Sequence, residues 1–147
     1  MEFSNNGLDL LASLEGLKLK AYKDSGNIWT IGIGTIKYPD GSNVKENDVC
    51  TKIQAYSYCN NDIKAFVKAI NVLLKTTLNQ NQFDALVIFT YNVGINALKS
   101  STLLKRINLD KFNPLIKAEF LKWNKVKGVP VTGLTNRRKI ESNLYFS

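Results

Sequence analysis

The feature that most constrains this chain is a double change of hydrophobic period within its first fifty residues. Leu8, Leu11 and Ala12 recur at helical spacing over residues 4 to about 15, with Ser4 or Asn5 able to cap, and the pattern breaks near Gly16. Residues 20–36 then read as strand: β-branched and aromatic Ile28, Trp29, Thr30, Ile31 and Ile33 follow the turn Ser25-Gly26-Asn27. Gly32 and Gly34 interrupt that run, and glycine in a strand marks a bulge or the close approach of another backbone or a ligand. No third glycine follows and no helix opens there, so the pair is not a dinucleotide fingerprint. Past the turn Tyr38-Pro39-Asp40-Gly41-Ser42 the helical period returns.

It stays helical to the end. Thr51-x-x-Gln54 is a capping box that opens a helix of some twenty residues, to about residue 74. Asn79 and Gln82 cap the next, whose run from Phe83 to Tyr91 is apolar enough to be almost wholly buried before it ends at Asn92-Val93-Gly94. Further helices are predicted over 101 to about 107, 114 to about 123 and 136 to about 145. Lys127-Gly128-Val129-Pro130 and Thr132-Gly133-Leu134 read as linkers. The fold class is α+β, mostly α-helical, with an N-terminal sheet of two or three short strands, and 147 residues suit one domain.

Composition excludes whole classes of chemistry. There is no histidine, which removes Ser-His-Asp hydrolases, Cys-His peptidases and His-ligated zinc together. Cys50 and Cys59 are too few for a thiolate zinc site. On one helix they would stand about 13 Å apart, too far for a disulfide, so they read as free thiols. No metal and no cofactor is expected. Carboxylates remain for hydrolysis. Net charge is +8, and residues 1–98 balance nine Lys/Arg against nine Asp/Glu while residues 99–147 carry eleven against three. That excess suggests a polyanionic partner, either a bacterial envelope or, in the blander reading, a solvated basic face. No motif accompanies it that would make nucleic acid a specific partner. No transmembrane run or signal peptide is present, so a soluble protein that does not drive its own export is expected.

The acids fall in a suggestive pattern. Glu15 ends the first helical pattern, Asp24 follows nine residues later in the turn, and Thr30 six after that in the strand. An acid at a helix C-terminus is disfavoured by the dipole, which raises its pKa as a general acid requires. A solvated surface glutamate is the ordinary alternative. Two carboxylates and a hydroxyl at one place suit cleavage of a glycosidic bond: one carboxyl protonates the leaving oxygen and the other handles water or developing charge.

That stretch resembles the phage-type lysozymes (endolysins, glycoside hydrolase family 24), whose signature is Glu, eight residues, Asp, five residues, Thr. Glu15, Asp24 and Thr30 fit it without adjustment, together with Tyr22-x-Asp24 and Thr30-Ile31-Gly32-x-Gly34. Weaker likenesses run through Gln82-Phe83-Asp84-Ala85-Leu86, Asn92-Val93-Gly94 and Gly133-Leu134-x-x-Arg137-Arg138-x-x-Glu141. The resemblance implies a bilobed, lysozyme-like single domain: an N-lobe of about 1–50, a connecting helix of about 52–74 and a C-lobe of about 75–147. It implies a monomer that cuts the β-1,4 bond from N-acetylmuramic acid to N-acetylglucosamine in peptidoglycan glycan strands. Glu15 would be the proton donor, with Asp24 and Thr30 on the attacking water, most simply with inversion. Arg137 matches a family position where an arginine approaches the catalytic glutamate, with surface basicity the alternative; Tyr22 reads as a cleft-wall hydrogen bonder or as core, and Gly34 as a substrate-binding or supporting candidate.

A lytic transglycosylase on the same bond, and a non-catalytic basic protein that disrupts wall or membrane through residues 99–147, are the alternatives. Without a hydrophobic N-terminal anchor, the resemblance implies residence in the host cytoplasm and release by a separate membrane-permeabilising partner. Thr35 departs from the pattern where many relatives carry a histidine. The expectation there is a lost polar contact and a weaker lobe, not lost chemistry.

Overall fold

The computed structural model describes all 147 residues. Seven helices and two antiparallel two-stranded sheets follow in the order α1 (Asn5–Glu15), β1 (Lys18–Lys23), β2 (Trp29–Gly32), α2 (Lys52–Leu73), α3 (Gln80–Val93), α4 (Ile95–Ser100), α5 (Thr102–Leu109), α6 (Ile116–Leu121), β3 (Lys125–Val126), β4 (Val129–Pro130) and α7 (Thr132–Tyr145). The chain divides into two units: Leu8–Ala65, and Met1–Gly7 together with Phe66–Ser147.

In the sheet-bearing unit, Leu8–Ala65, α1 stops because Gly16 turns left-handed at φ +80° while its N–H still donates to the Ala12 carbonyl at 2.9 Å. β1 then pairs with β2, setting Tyr22 opposite Thr30 and Lys23 opposite Trp29. The connecting loop closes on Asp24, whose N–H donates to the Ile28 carbonyl and whose carbonyl accepts from Asn27. Beyond β2, Ile31 and Thr35 exchange backbone hydrogen bonds of 2.9 and 3.0 Å around Gly32-Ile33-Gly34. Both glycines are left-handed, at φ +66° and +79°. A Cβ on Gly32 would lie 3.0 Å from the Ala55 Cβ and 3.2 Å from its Cα. The predicted close approach is therefore α2 pressed onto the strand end.

The capping box forms as predicted: Thr51 N–H donates to Gln54 Oε1 at 2.9 Å and Gln54 N–H to Thr51 Oγ1 at 3.1 Å. Ala21, Ile31, Val44, Cys50 and Ala55 make the core of this unit, with Trp29, Tyr38 and Tyr58 packed on it. Cys50 precedes α2, so the two thiols do not share a helix, and both are buried.

The other unit is built on α3, in which every residue from Gln82 to Thr90 is buried. Asn79 and Gln82 complete its reciprocal cap, and α7 packs along it. Phe89 meets Phe120 and Trp123 edge to face at 5.4 and 5.8 Å, and Phe120 meets Tyr145 at 5.8 Å. Ser4 caps the start of α1 by accepting from Gly7 N–H, and its hydroxyl donates to Asp84 of α3.

Two predicted linkers are reassigned and one helix is added. Thr132-Gly133-Leu134 is the first turn of α7, not a linker. Lys127-Gly128 is the two-residue turn of the β3–β4 hairpin, with both residues left-handed at φ +48° and +79°, as such turns require. α4, a six-residue helix with no side-chain cap, has no counterpart in the sequence reading.

Candidate active site

Glu15 sits half-buried at the last position of α1. Three residues on, β1 begins and carries the chain to Tyr22 and then Asp24. The Asp24 Oδ1 atom accepts from two backbone amides of the following loop, Gly26 N–H at 2.8 Å and Ile28 N–H at 2.9 Å. Asx-type bonding of this kind is what aspartate offers a turn. Oδ2 accepts no hydrogen bond from the protein. The carboxylate is thus anchored by one oxygen and open at the other.

Thr30 is buried on β2, and its hydroxyl donates to the Ile28 carbonyl at 2.9 Å. That bond commits the only hydroxyl proton and leaves the oxygen as an acceptor. Ile28 therefore links the two groups, giving its N–H to Asp24 and its carbonyl to Thr30.

Tyr22 ties the third group to these two. It pairs across the sheet with Thr30, and its ring carries the Lys18 ammonium 4.9 Å from its centroid. Its hydroxyl is pushed above the ordinary tyrosine value, first by burial, then by the negative charge of Glu15, then by that of Asp24. Both carboxylates act on one phenol, so the structure gathers Glu15, Asp24, Tyr22 and Thr30 in one neighbourhood. Gly34 lies in the tight turn after β2. Arg137 lies on α7 in the other unit, buried, with its Nε 3.1 Å from Glu141 Oε1 and a terminal nitrogen 3.4 Å from the Ile88 carbonyl.

Thr35, where loss of a polar contact was expected, does make one. Thr35 is fully buried and its hydroxyl donates to Asp62 Oδ2 of α2 at 2.7 Å. Burial pushes the Asp62 carboxyl above the usual carboxylate range, and the Thr35 hydroxyl offsets part of that. Sequence reasoning missed Asp62 because a threonine gives no hint of a carboxylate partner 27 residues away. It also passed over Lys23, whose ammonium lies 5.3 Å from the centre of the Trp29 ring beside the Asp24 loop. No three His, Cys, Asp or Glu side chains stand together in a metal-holding group.

Residues 12–141 match the family model described as phage lysozyme. The chain belongs to the phage lysozyme family. It is 44% identical to the endolysin of Bacillus phage PZA over its whole length, though it spans only 56% of that relative. It is 37% identical to the endolysin of Salmonella phage P22, covering 100% of this chain and 99% of the relative. Among solved structures, the endolysin from Escherichia coli O157:H7 phage FAHEc1 superposes with a TM-score of 0.93 at 43% identity, covering 100% of this chain and 94% of that one. The mostly helical fold with its small sheets is thus that of the phage lysozymes. No helix of this family member is long and apolar enough to cross a membrane.

Proposed function

We propose that the chain is an endolysin-type peptidoglycan hydrolase that cuts the β-1,4 bond from N-acetylmuramic acid to N-acetylglucosamine. The observation that carries the reading is the Asp24 carboxylate, anchored through one oxygen in the loop between β1 and β2 and linked through Ile28 to the Thr30 hydroxyl. Glu15 protonates the leaving oxygen. The open Oδ2 of Asp24 and the acceptor oxygen of Thr30 hold the attacking water, and Asp24 takes its proton. Water attack opposite the leaving group would give inversion, an outcome that needs the two carboxyls far enough apart to admit that water. Gly34, Tyr22 and Arg137 are supporting residues in this reading: the glycine keeps the strand turn tight, the phenol borders both acids, and the guanidinium is held in place by Glu141.

A monomer suffices for this reading, because the three central groups come from one stretch of one chain and need no second copy to complete them. Its second partner is the anionic bacterial envelope. Arg106 and Lys122 are matched by Glu119, and Arg137 and Arg138 by Glu141, so the remaining basic charge is carried by exposed lysines such as Lys99, Lys105, Lys117, Lys125, Lys127 and Lys139.

Release of reducing ends from purified walls tests the chemistry. Glu15→Gln should lower the rate by about 100- to 10,000-fold, the usual contribution of a general acid. Lysis that survives the substitution would leave a non-catalytic basic protein as the explanation. Anhydro ends in the products would make the enzyme a transglycosylase.

A further inference from the structure

A groove of about 700 Å³ runs along the N-terminal half of α2 and is walled on one side by Asp9 of α1. Glu15, Tyr22, Asp24, Thr30 and Gly34 take no part in its lining. Lys52, Tyr56, Asn60 and Lys64 recur every four residues along it, and residues at that spacing share a helix face. The row extends about 18 Å at 1.5 Å per residue. Its volume falls within the range of ligand sites, about 300 to 1,000 Å³.

The lining is of mixed character. The side chains of Asn60 and neighbouring Asn61 form no hydrogen bond within the protein, so their amides are available as donors and acceptors. Ile53 is 84% exposed at the rim, a large apolar side chain with nothing on it. Tyr56 is half-buried between charges: the Asp9 carboxylate lies beside its hydroxyl, and the Lys52 ammonium stands 5.8 Å from its ring centre.

A purely apolar ligand would bury the amides without partners, at a desolvation penalty. A polyanion would meet the Asp9 carboxylate. A carbohydrate fits both constraints, since a pyranose offers C–H faces to a ring or an isoleucine, and hydroxyl and acetamido groups to side-chain amides. The elongated row fits a strand better than a single sugar. We infer that this groove is a second glycan-binding site, one that holds an N-acetylated sugar strand while the Glu15 site cuts elsewhere on the wall. The inference rests on the proposed peptidoglycan substrate.

The test compares Tyr56→Ala and Asn60→Ala–Asn61→Ala with the parent in two backgrounds. In the Glu15→Gln background, cosedimentation with purified sacculi reads binding alone, and each variant should bind at least several-fold more weakly. In the active background, each should need more sacculi for half-maximal rate while keeping its maximal rate and its rate on short soluble glycan fragments. Amide NMR shifts on adding tri-N-acetylchitotriose should include residues 52–64 in the parent. Asn60 is exposed, so the double asparagine variant guards against misfolding at Tyr56, and thermal melts check both. Sacculus binding equal to the parent's, or no shift in residues 52–64, overturns the second site. Absence of reducing ends from the unsubstituted protein instead overturns the substrate, a result the binding arms cannot mimic.

Discussion

Asparagine at position 24 separates chemistry from architecture, because it keeps an oxygen where Gly26 and Ile28 donate and loses only the charge. Asp24→Asn should therefore melt with the parent yet release reducing ends at a rate lower by about 100-fold or more. An unchanged rate would show that Asp24 only shapes the loop. Asp62 gives a prediction of opposite kind. Its folded pKa is raised by burial, so the native state binds the proton more tightly than the unfolded chain. Stability from this group is then greatest at acid pH and is lost as pH rises from about 4, the unfolded carboxylate value, through the folded one. Asp62→Asn retains an acceptor for the Thr35 hydroxyl and has nothing to ionise. Its melting temperature should exceed the parent's at pH 7, and the gap should close near pH 3; a gap independent of pH would refute the argument. The two acids also differ in legibility. Asp24 could be read from the sequence because its partners lie within four residues, in a turn that calls for aspartate. The role of Asp62 depends on which residue of α2 faces the end of β2, and no local pattern encodes that.

Elements announced themselves when their termini carried side-chain chemistry. α2 and α3 open with reciprocal caps, and both were foreseen to within a residue of where they begin. α7 begins at Thr132 behind Val131, which makes no side-chain cap, and its Thr132-Gly133 start looks like a linker. That first turn is instead tied to the chain before the hairpin: Val131 N–H donates to the Asn124 carbonyl at 2.8 Å and the Asn124 side-chain amide donates to Thr135 Oγ1 at 3.0 Å, contacts that no local pattern announces. The hairpin β3–β4 was invisible for a simpler reason: two-residue strands are too short to show a period. Glycine was the other legible device, and two positions test why. Gly16 and Gly32 are both left-handed, at φ +80° and +66°. An added Cβ meets nothing within 4 Å at Gly16, whereas at Gly32 it meets the backbone of α2. Gly16→Ala should lower stability by about 1 to 2 kcal/mol, the left-handed penalty alone. Gly32→Ala adds a steric clash that neither element can relieve cheaply, so it should lose at least 1 kcal/mol more, a typical overpacking penalty. Denaturant melts of the pair measure the difference. Equal losses would mean that α2 moves aside freely.

Across the whole molecule, charge is segregated more sharply by unit than by position in the chain. Leu8–Ala65, which holds Glu15, Asp24 and Thr30, balances seven Lys/Arg against seven Asp/Glu, while the other unit carries thirteen against five. The entire +8 thus belongs to the unit without the candidate acids. Inspection of the sequence showed the C-terminal excess but not this neutrality, because the boundary of the units cuts α1 after Gly7 and α2 after Ala65. If the basic unit gathers anionic wall and the neutral unit does the chemistry, salt should affect only the first. The Debye length shrinks from about 10 Å at 0.1 M to about 3 Å at 1 M salt. Over that range the amount of intact anionic wall needed for half-maximal rate should rise several-fold, while turnover of a short uncharged N-acetylated oligosaccharide stays level. A parallel loss on both substrates would place the salt-sensitive interaction within the catalytic unit, contrary to the division of labour that the charge distribution implies.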